Sequence, residues 1–433
     1  MTPQDSLIIA SEVAPDRVDG LRALLATMSF QSRPGFADPA NALAPFGAFE
    51  TVHFARFVVL ADNSLSDRAA YPGLTLDQPT YLCFMADCDG PAEDLLKRLA
   101  RDAPGLSKIF AFCKDYVEKA DMLAWLGAHR ISSAASYVNW VGRTVRQVRE
   151  EARLHDLLRE ALTQIPERDP QRLLLRLRQS VGSAVTLSPE PSTPLSWRLR
   201  NLAHFLAPLL VAAFCLVFFP LLTLAALVVA AVLYAIALRR HEQSDSIIAQ
   251  PNETGKIAIL RRSEDFDVSN QYTAMGSIKP SRFRLWSEIV ILYGVDFAAR
   301  HIFTRGALGR IGTIHFAHWV FLDDRRRGFF CSNYDGRHEA YMDDFINKAG
   351  FGLNISFSSF IAYPPTDWLL LNGAWREQEF KRFQRHHQIP TDVWYKAYPG
   401  LTARDLARNA RIRNGFEKTT MSDDEIRRWL AEI

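Results

Sequence analysis

The chain contains the same text twice. Thr51 to Asp62, TVHFARFVVLAD, returns as Thr313 to Asp324, TIHFAHWVFLDD. DCDGPAEDLLKRLA from Asp87 returns as NYDGRHEAYMDDFI from Asn333, and HRISSAASYVNWVGRTVRQVREEAR from His129 aligns without a gap to HQIPTDVWYKAYPGLTARDLARNAR from His387. Three matches in the same order exclude coincidence, so whatever one copy folds into the other folds into as well. At 433 residues there is room for both copies, each with a core of its own.

Hydrophobic periodicity gives the order of elements within a copy. LIIASEV reads as a strand, Arg17 to Met28 as a helix, VHFARFVVL and TYLCFMAD as strands, Pro91 to Arg101 as a helix and LSKIFAFC as a strand. The second copy gives a strand over Gln271 to Ile278, a helix from Arg282, strands IHFAHWVFL and GFFCSN, a helix from His338 and a strand LNISFSSF. The order is βαββαβ, the ferredoxin-like split unit. A sheet with both helices on one face leaves the other face bare, and a second copy is the natural cover. The expected fold class is therefore α+β: two ferredoxin-like repeats packed as a pseudo-dimeric α/β barrel.

In strand order and duplication, over about 110 residues of each half, the chain resembles the dimeric α/β-barrel superfamily of dye-decolourising peroxidases, chlorite dismutases and small monooxygenases. That resemblance implies oxidoreductase activity and a haem held between the sheets. The superfamily's haem ligands do not align with this chain position by position.

Between the copies, Phe205 to Leu238 carries no charge. The run is long for one crossing of a bilayer and short for two. Pro220 near its middle favours a turn. Arg198 and Arg200 before it and Arg239 and Arg240 after it place both ends on the cytoplasmic face, as in a transmembrane helical hairpin. One long tilted helix with the halves on opposite sides is the other reading. The expected organisation is a first repeat with helical extension over 1–165, a basic amphipathic helix and linker over 166–204, the membrane segment over 205–238, a linker over 239–269 and the second repeat over 270–433. Asp169-Pro170 starts the amphipathic helix, whose Leu173, Leu174, Leu177 and Val181 face either anionic lipid or the protein.

A net charge of +3 supplies no basic excess for nucleic acid. Cys83, Cys88, Cys113, Cys215 and Cys331 lack zinc-like spacing and read as buried thiols of a reducing compartment. MTPQDSLIIASEVAPDR is not a cleavable signal, so the expected location is the inner (cytoplasmic) membrane with both repeats in the cytoplasm.

Several repeated motifs have structural explanations. Asp89 to Glu93 and Asp335 to Glu339 read as glycine turns with a capping carboxylate, or as carboxylates gathered for a cation or proton transfer. Thr144-x-x-Gln147 and Thr402-x-x-Asp405 read as helix caps, braced by Tyr137 with Trp140 and Tyr395 with Tyr398. Arg146, Arg149, Arg153, Arg404, Arg408 and Arg411 form basic helix faces, solvated or touching phosphate.

Histidine is the residue with most chemical latitude. His53 repeats as His315 and His129 as His387, whereas Arg56 becomes His318. Residues alternate along a strand, so His315 and His318 lie on opposite faces and one of them points between the sheets. Each is either a hydrogen-bonded core histidine or a haem ligand or base. Together they do not converge on a metal, and no metal site is expected. The candidate catalytic residues are His315, His318 and Arg56, with His315 and His318 as cofactor ligands. Two functions follow. One is a membrane-anchored oxidoreductase, peroxidase- or monooxygenase-like, acting on a lipophilic small molecule. The other is a non-catalytic scaffold that binds membrane lipid, a protein or further copies of itself as a homo-oligomer.

Overall fold

The structure, a computed structural model, describes residues 1–61, 67, 71, 74, 79–117, 121–245, 254–265 and 267–433. Asp62, which closes the first repeated block, lies outside the described residues.

The protein is α+β. The strands are β1 (Gln4–Val13), β2 (Ser29–Phe30), β3 (Arg33–Ala37), β4 (Val52–Leu60), β5 (Thr80–Asp89), β6 (Arg130–Ile131), β7 (Ala135–Val138), β8 (Ser269–Ser277), β9 (Ile314–Leu322), β10 (Arg327–Asp335), β11 (Thr366–Asp367), β12 (Leu371–Asn372) and β13 (Val393–Lys396). Two main sheets form, in the orders β2-β3-β13-β4-β5-β1-β6 and β7-β9-β10-β8. Each sheet thus takes a strand from the other half of the chain. β13 lies antiparallel to β4, with Trp394 opposite Arg56, and β7 lies antiparallel to β9, with Ser136 opposite His318. The two exchanged strands occupy corresponding places in the third repeated block.

The helices of the first half and the connection are α1 (Val18–Ala26), α2 (Ala92–Asp102), α3 (Leu106–Phe110), α4 (Met122–Ala128) and α5 (Val145–Gln164), then α6 (Pro170–Gly182), the apolar pair α7 (Leu195–Phe218) and α8 (Pro220–Ser244), and α9 (Thr254–Arg261). In the second half follow α10 (Arg282–His301), α11 (His338–Phe357), α12 (Glu377–His387), α13 (Ala403–Glu417) and α14 (Asp423–Leu430).

One expectation fails in both copies in the same way. LSKIFAFC begins with α3 and LNISFSSF lies largely in the last turns of α11, so neither is a strand. Leu106, Ile109 and Phe110, and likewise Leu353 and Phe357, recur three or four residues apart and bury one helical stripe. Only the last residue of each run reaches the first strand of its copy, Cys113 bridging Val13 and Phe360 bridging Ile278, and further short pairings lie alongside, Ile8 and Ile9 with Ile131 and Arg130 and a bridge from Ala274 to Gln388.

Three hydrophobic clusters set the layers. One fills the space between the first sheet and its helices, including Leu21, Phe57, Phe84 and Leu96. A second does the same for the other sheet, with Trp319, Phe330, Phe345 and Phe357. The third joins Ile8, Val58 and Met85 of one sheet to Met275, Val320 and Phe329 of the other, so the sheets meet face to face.

α6 starts as its sequence indicates, with the Asp169 side chain accepting from the Arg172 N–H at 2.9 Å. Its Leu174, Leu177 and Val181 pack on Leu158, Ile412, Ile426 and Trp429, so this amphipathic face is covered by protein. Trp429 of α14 docks there, its indole N–H 2.8 Å from the Ile412 carbonyl.

The uncharged run breaks at Phe219 (φ −136°, ψ 50°), and Pro220 opens α8. Both helices are long and apolar enough to cross a membrane. α7 has no buried residue, and α8 only Leu238 and Glu242. At 1.5 Å per residue the uncharged arms, residues 201–218 and 220–238, each span about 27 Å, close to the hydrocarbon thickness of a bilayer.

Candidate functional site

The second strand of each copy has one polar side chain aimed between the sheets, Arg56 in β4 and His318 in β9, both buried. They occupy the position at which the repeats diverge. Their partners are also a repeated pair, Asp87 and Asn333, which open the second matching block, and each bond crosses from one sheet to the other. The His318 Nε2–H donates to Asp87 at 2.7 Å. Arg56 donates to Asn333 Oδ1, to the Tyr272 and Ser332 carbonyls at 3.0 and 3.1 Å, and to Thr273 Oγ1 at 3.1 Å.

Asn333 joins the two crossings. Its side-chain oxygen also accepts from the Trp394 indole at 3.0 Å, while its nitrogen donates to Asp87 at 3.3 Å. The exchanged strands complete the set, because Trp394 belongs to β13 and Ser136 of β7 lies 3.2 Å from His318 Nδ1. Ser6 donates to Asp87 at 2.9 Å. A buried charge is tolerated only with such satisfaction, and this network supplies it on both sides.

His315 and His53 form a second repeated pair. His53 Nε2 lies 2.9 Å from Asp89, and His315 Nε2 2.7 Å from Asp335. The second oxygen of each aspartate accepts the first free N–H of a helix: Val145 of α5 at 2.9 Å and Ala403 of α13 at 2.7 Å. Each histidine is therefore tied through a carboxylate to a helix N-terminus of its own copy. Burial pushes the Asp335 carboxyl up, but His315 and the hydrogen bonds from Ser269 and Ala403 hold it below its ordinary value. Both predicted capping boxes form, Thr144 with Gln147 and Thr402 with Asp405.

The glycines of the Asp-Gly turns take left-handed backbone, φ +81° at Gly90 and +87° at Gly336. The glutamates do not cap. Glu93 pairs with Arg130 and Glu339 with Arg385, each at 3.1 to 3.2 Å, while Asp5 accepts the Ala92 N–H at 2.9 Å. Of the basic faces, Arg149 donates to the Ala397 carbonyl, and Arg146, Arg408 and Arg411 pair with Glu150, Asp405 and Glu432.

Space limits what this centre can do. The cavity beside Arg56, Asp87 and His318 is about 10 Å³, and that beside His53 and His315 about 20 Å³. Either holds at most about one water, whereas ligand pockets run to roughly 300 Å³ or more. Both ring nitrogens of His318 are engaged, and His315 Nε2 faces a carboxylate. Among the described residues, the inter-sheet space does not fit haem at either histidine. The sequence singled out Arg56, His315 and His318 but assigned no chemistry to Asp87, Asn333, Ser136 or Trp394. Their signal lay in the alignment, since each polar position has a partner at another duplicated position.

The surface at the foot of the apolar helices differs in character. α10 runs beside both feet: Phe297 stacks on Phe205 of α7 at 5.8 Å, and Phe283 lies 5.3 Å from Tyr234 of α8. Along α10, Trp286, Val290 and Tyr293 are exposed, and so are Trp368, Leu370, Leu371 and Trp375 near the end of α8. Arg239 ties that segment to α8, 2.7 Å from Asp367 and over the Trp368 ring.

The chain matches no protein-family model, and comparison with curated proteins and with solved structures returns no match.

Proposed function

We propose that this protein is a membrane-anchored scaffold: two ferredoxin-like repeats, packed as a pseudo-dimeric α/β barrel, held on the cytoplasmic surface of the membrane by a helical hairpin. The observation that carries the reading is the uncovered apolar surface of α7 and α8, continued at their feet by Trp286, Tyr293, Trp368 and Trp375. Aromatic side chains of this kind are enriched at the headgroup level, where the ring is shielded and its N–H or O–H stays wet. Arg198, Arg200 and Arg240 lie exposed at the same feet, suited to lipid phosphate.

The repeat reading is supported by strand order. In each copy the second, third and first strands are neighbours in that sequence, and the short fourth pairing follows beside the first. The scaffold reading is favoured over an oxidoreductase because the polar groups between the sheets are spent on one another. In its place, the lipid surface is the ligand.

Alkaline carbonate extraction of membranes, followed by vesicle flotation, tests this function. The full chain stays in the membrane pellet. A variant with residues 201–238 replaced by a flexible linker becomes extractable but still floats with anionic vesicles, and loses flotation when Trp286 and Trp368 are changed to Ala. Release of the full chain by carbonate, without detergent, would refute the anchor.

A further inference from the structure

His129 and His387 do the same structural task in the two copies. In each, Nδ1–H donates to the carbonyl four residues back, Trp125 at 2.8 Å and Phe383 at 2.9 Å. In the first copy His129 also stacks on the Trp125 ring at 4.0 Å. The second copy adds two groups. His386 stands where the first copy has Ala128. Asp67 comes from the connection between β4 and β5, residues 61–79, whose counterpart in the second copy is only residues 323–326.

Asp67 is buried, and its backbone carbonyl accepts from the Tyr71 N–H at 2.7 Å. One carboxylate oxygen accepts the Ser277 N–H of β8 at 3.1 Å. The other lies 3.1 Å from His387 Nε2 and 3.8 Å from His386 Nε2. One donor atom from each of the three residues lies within 4.8 Å of the others. Among the described residues this is the one group of its kind.

The hydrogen bond to Phe383 decides the tautomer. With Nδ1 as donor, a neutral His387 ring presents its Nε2 lone pair to a carboxylate oxygen, which is repulsive unless a cation sits between them. A proton on Nε2 relieves that contact alone. His386 Nε2 points at the same oxygen, is buried, and has no hydrogen-bond partner among the described residues. An ion at the centre of the three would satisfy all of them. An imidazole held by its other nitrogen on a backbone carbonyl is also how proteins orient a metal-binding histidine. Lys256 donates to the His386 carbonyl, on the backbone side of that residue.

We propose that Asp67, His386 and His387 form a binding site for one divalent first-row transition ion, of which zinc is the test case. Two imidazole nitrogens and one carboxylate suit such an ion and leave a position for water. The ion clips the long connection of the first copy to the second copy, and through it joins the two halves. Its ligands sit where the copies differ, in an insertion and in an alanine-to-histidine change, while the shared histidine keeps its common hydrogen bond.

The test uses the full chain in detergent, without a histidine tag, stripped with chelator and titrated with zinc by calorimetry and elemental analysis. One zinc binds per chain and raises the melting temperature. Asp67→Asn and His386→Gln each weaken binding about tenfold or more and abolish that rise, whereas His129→Gln binds zinc as the parent does. Cobalt gives a visible absorption band that His386→Gln removes. The proposal is overturned if the folded parent binds well under one zinc per chain, or if His386→Gln and Asp67→Asn, still cooperatively folded, bind it unchanged. In the first case the cluster is a buried carboxylate–imidazole pair only.

Discussion

The Arg56 guanidinium ties the halves together by donating to four acceptors of the second half. Truncating it removes the charged donor from all four, although Asn333 Oδ1 keeps the Trp394 indole, and losing buried hydrogen bonds from a charged group costs about 3 kcal/mol. Arg56→Ala should therefore lower stability in denaturant titration by that order, well beyond a surface arginine such as Arg101→Ala. Little change would mean that water fills the gap. Glu288 of α10 gives a pH prediction. It is fully buried, and burial pushes its carboxyl up to about 8. Between the ordinary carboxylate range and pH 8 the folded chain holds a proton that the unfolded chain has lost, so stability is greatest at the acidic end and falls as pH rises through about 8. Glu288→Gln should flatten that part of the melting-temperature profile relative to the parent. An unchanged slope would assign the titration elsewhere. At this scale the sequence was partly legible: the Arg-to-His divergence at 56 and 318 marked the inter-sheet position. The partners were not, because Asp87 and Asn333 lie far along the chain and only the folded sheets bring them across.

Local signals decided the elements well where one face is buried and a cap is present, as in α5, α6 and α13, and poorly where short aromatic runs fit either period. LSKIFAFC and LNISFSSF are rich in strand-forming residues, yet tertiary packing of their three- and four-residue spacing wins. Strand exchange was out of reach for a different reason. Periodicity says that ASYV and VWYK are extended, but which edge each joins depends on non-local pairing. β13 hydrogen-bonds beside β4, and β7 beside β9, so neither sheet is complete without the other half. If the chain is divided between Phe219 and Pro220, each fragment expressed alone should fail to show a cooperative melt, and the two coexpressed should copurify. A fragment of residues 1–219 that melts cooperatively by itself would contradict the exchange.

For the whole molecule, exchange constrains topology more tightly than charge counting does. Two sheets that share strands and an inter-sheet core keep both halves on one side of a bilayer in the anchoring we propose, which is why the hairpin is preferred to one tilted helix between separated halves. The duplication and the uncharged run were both plain in the sequence. What joins them is the geometry of α10, which touches α7 and α8 at their feet and turns its exposed aromatic face outward beside them. The most direct test of the account is labelling by a membrane-impermeant maleimide of three cysteine substitutions, Lys97→Cys on α2, Arg428→Cys on α14 and Leu221→Cys beside the break at Phe219, all at exposed positions. Lys97→Cys and Arg428→Cys should label together in inverted membrane vesicles and not in intact cells, and Leu221→Cys should label only from the opposite face. Labelling of Lys97→Cys and Arg428→Cys from opposite sides, or of all three from one side, would contradict it.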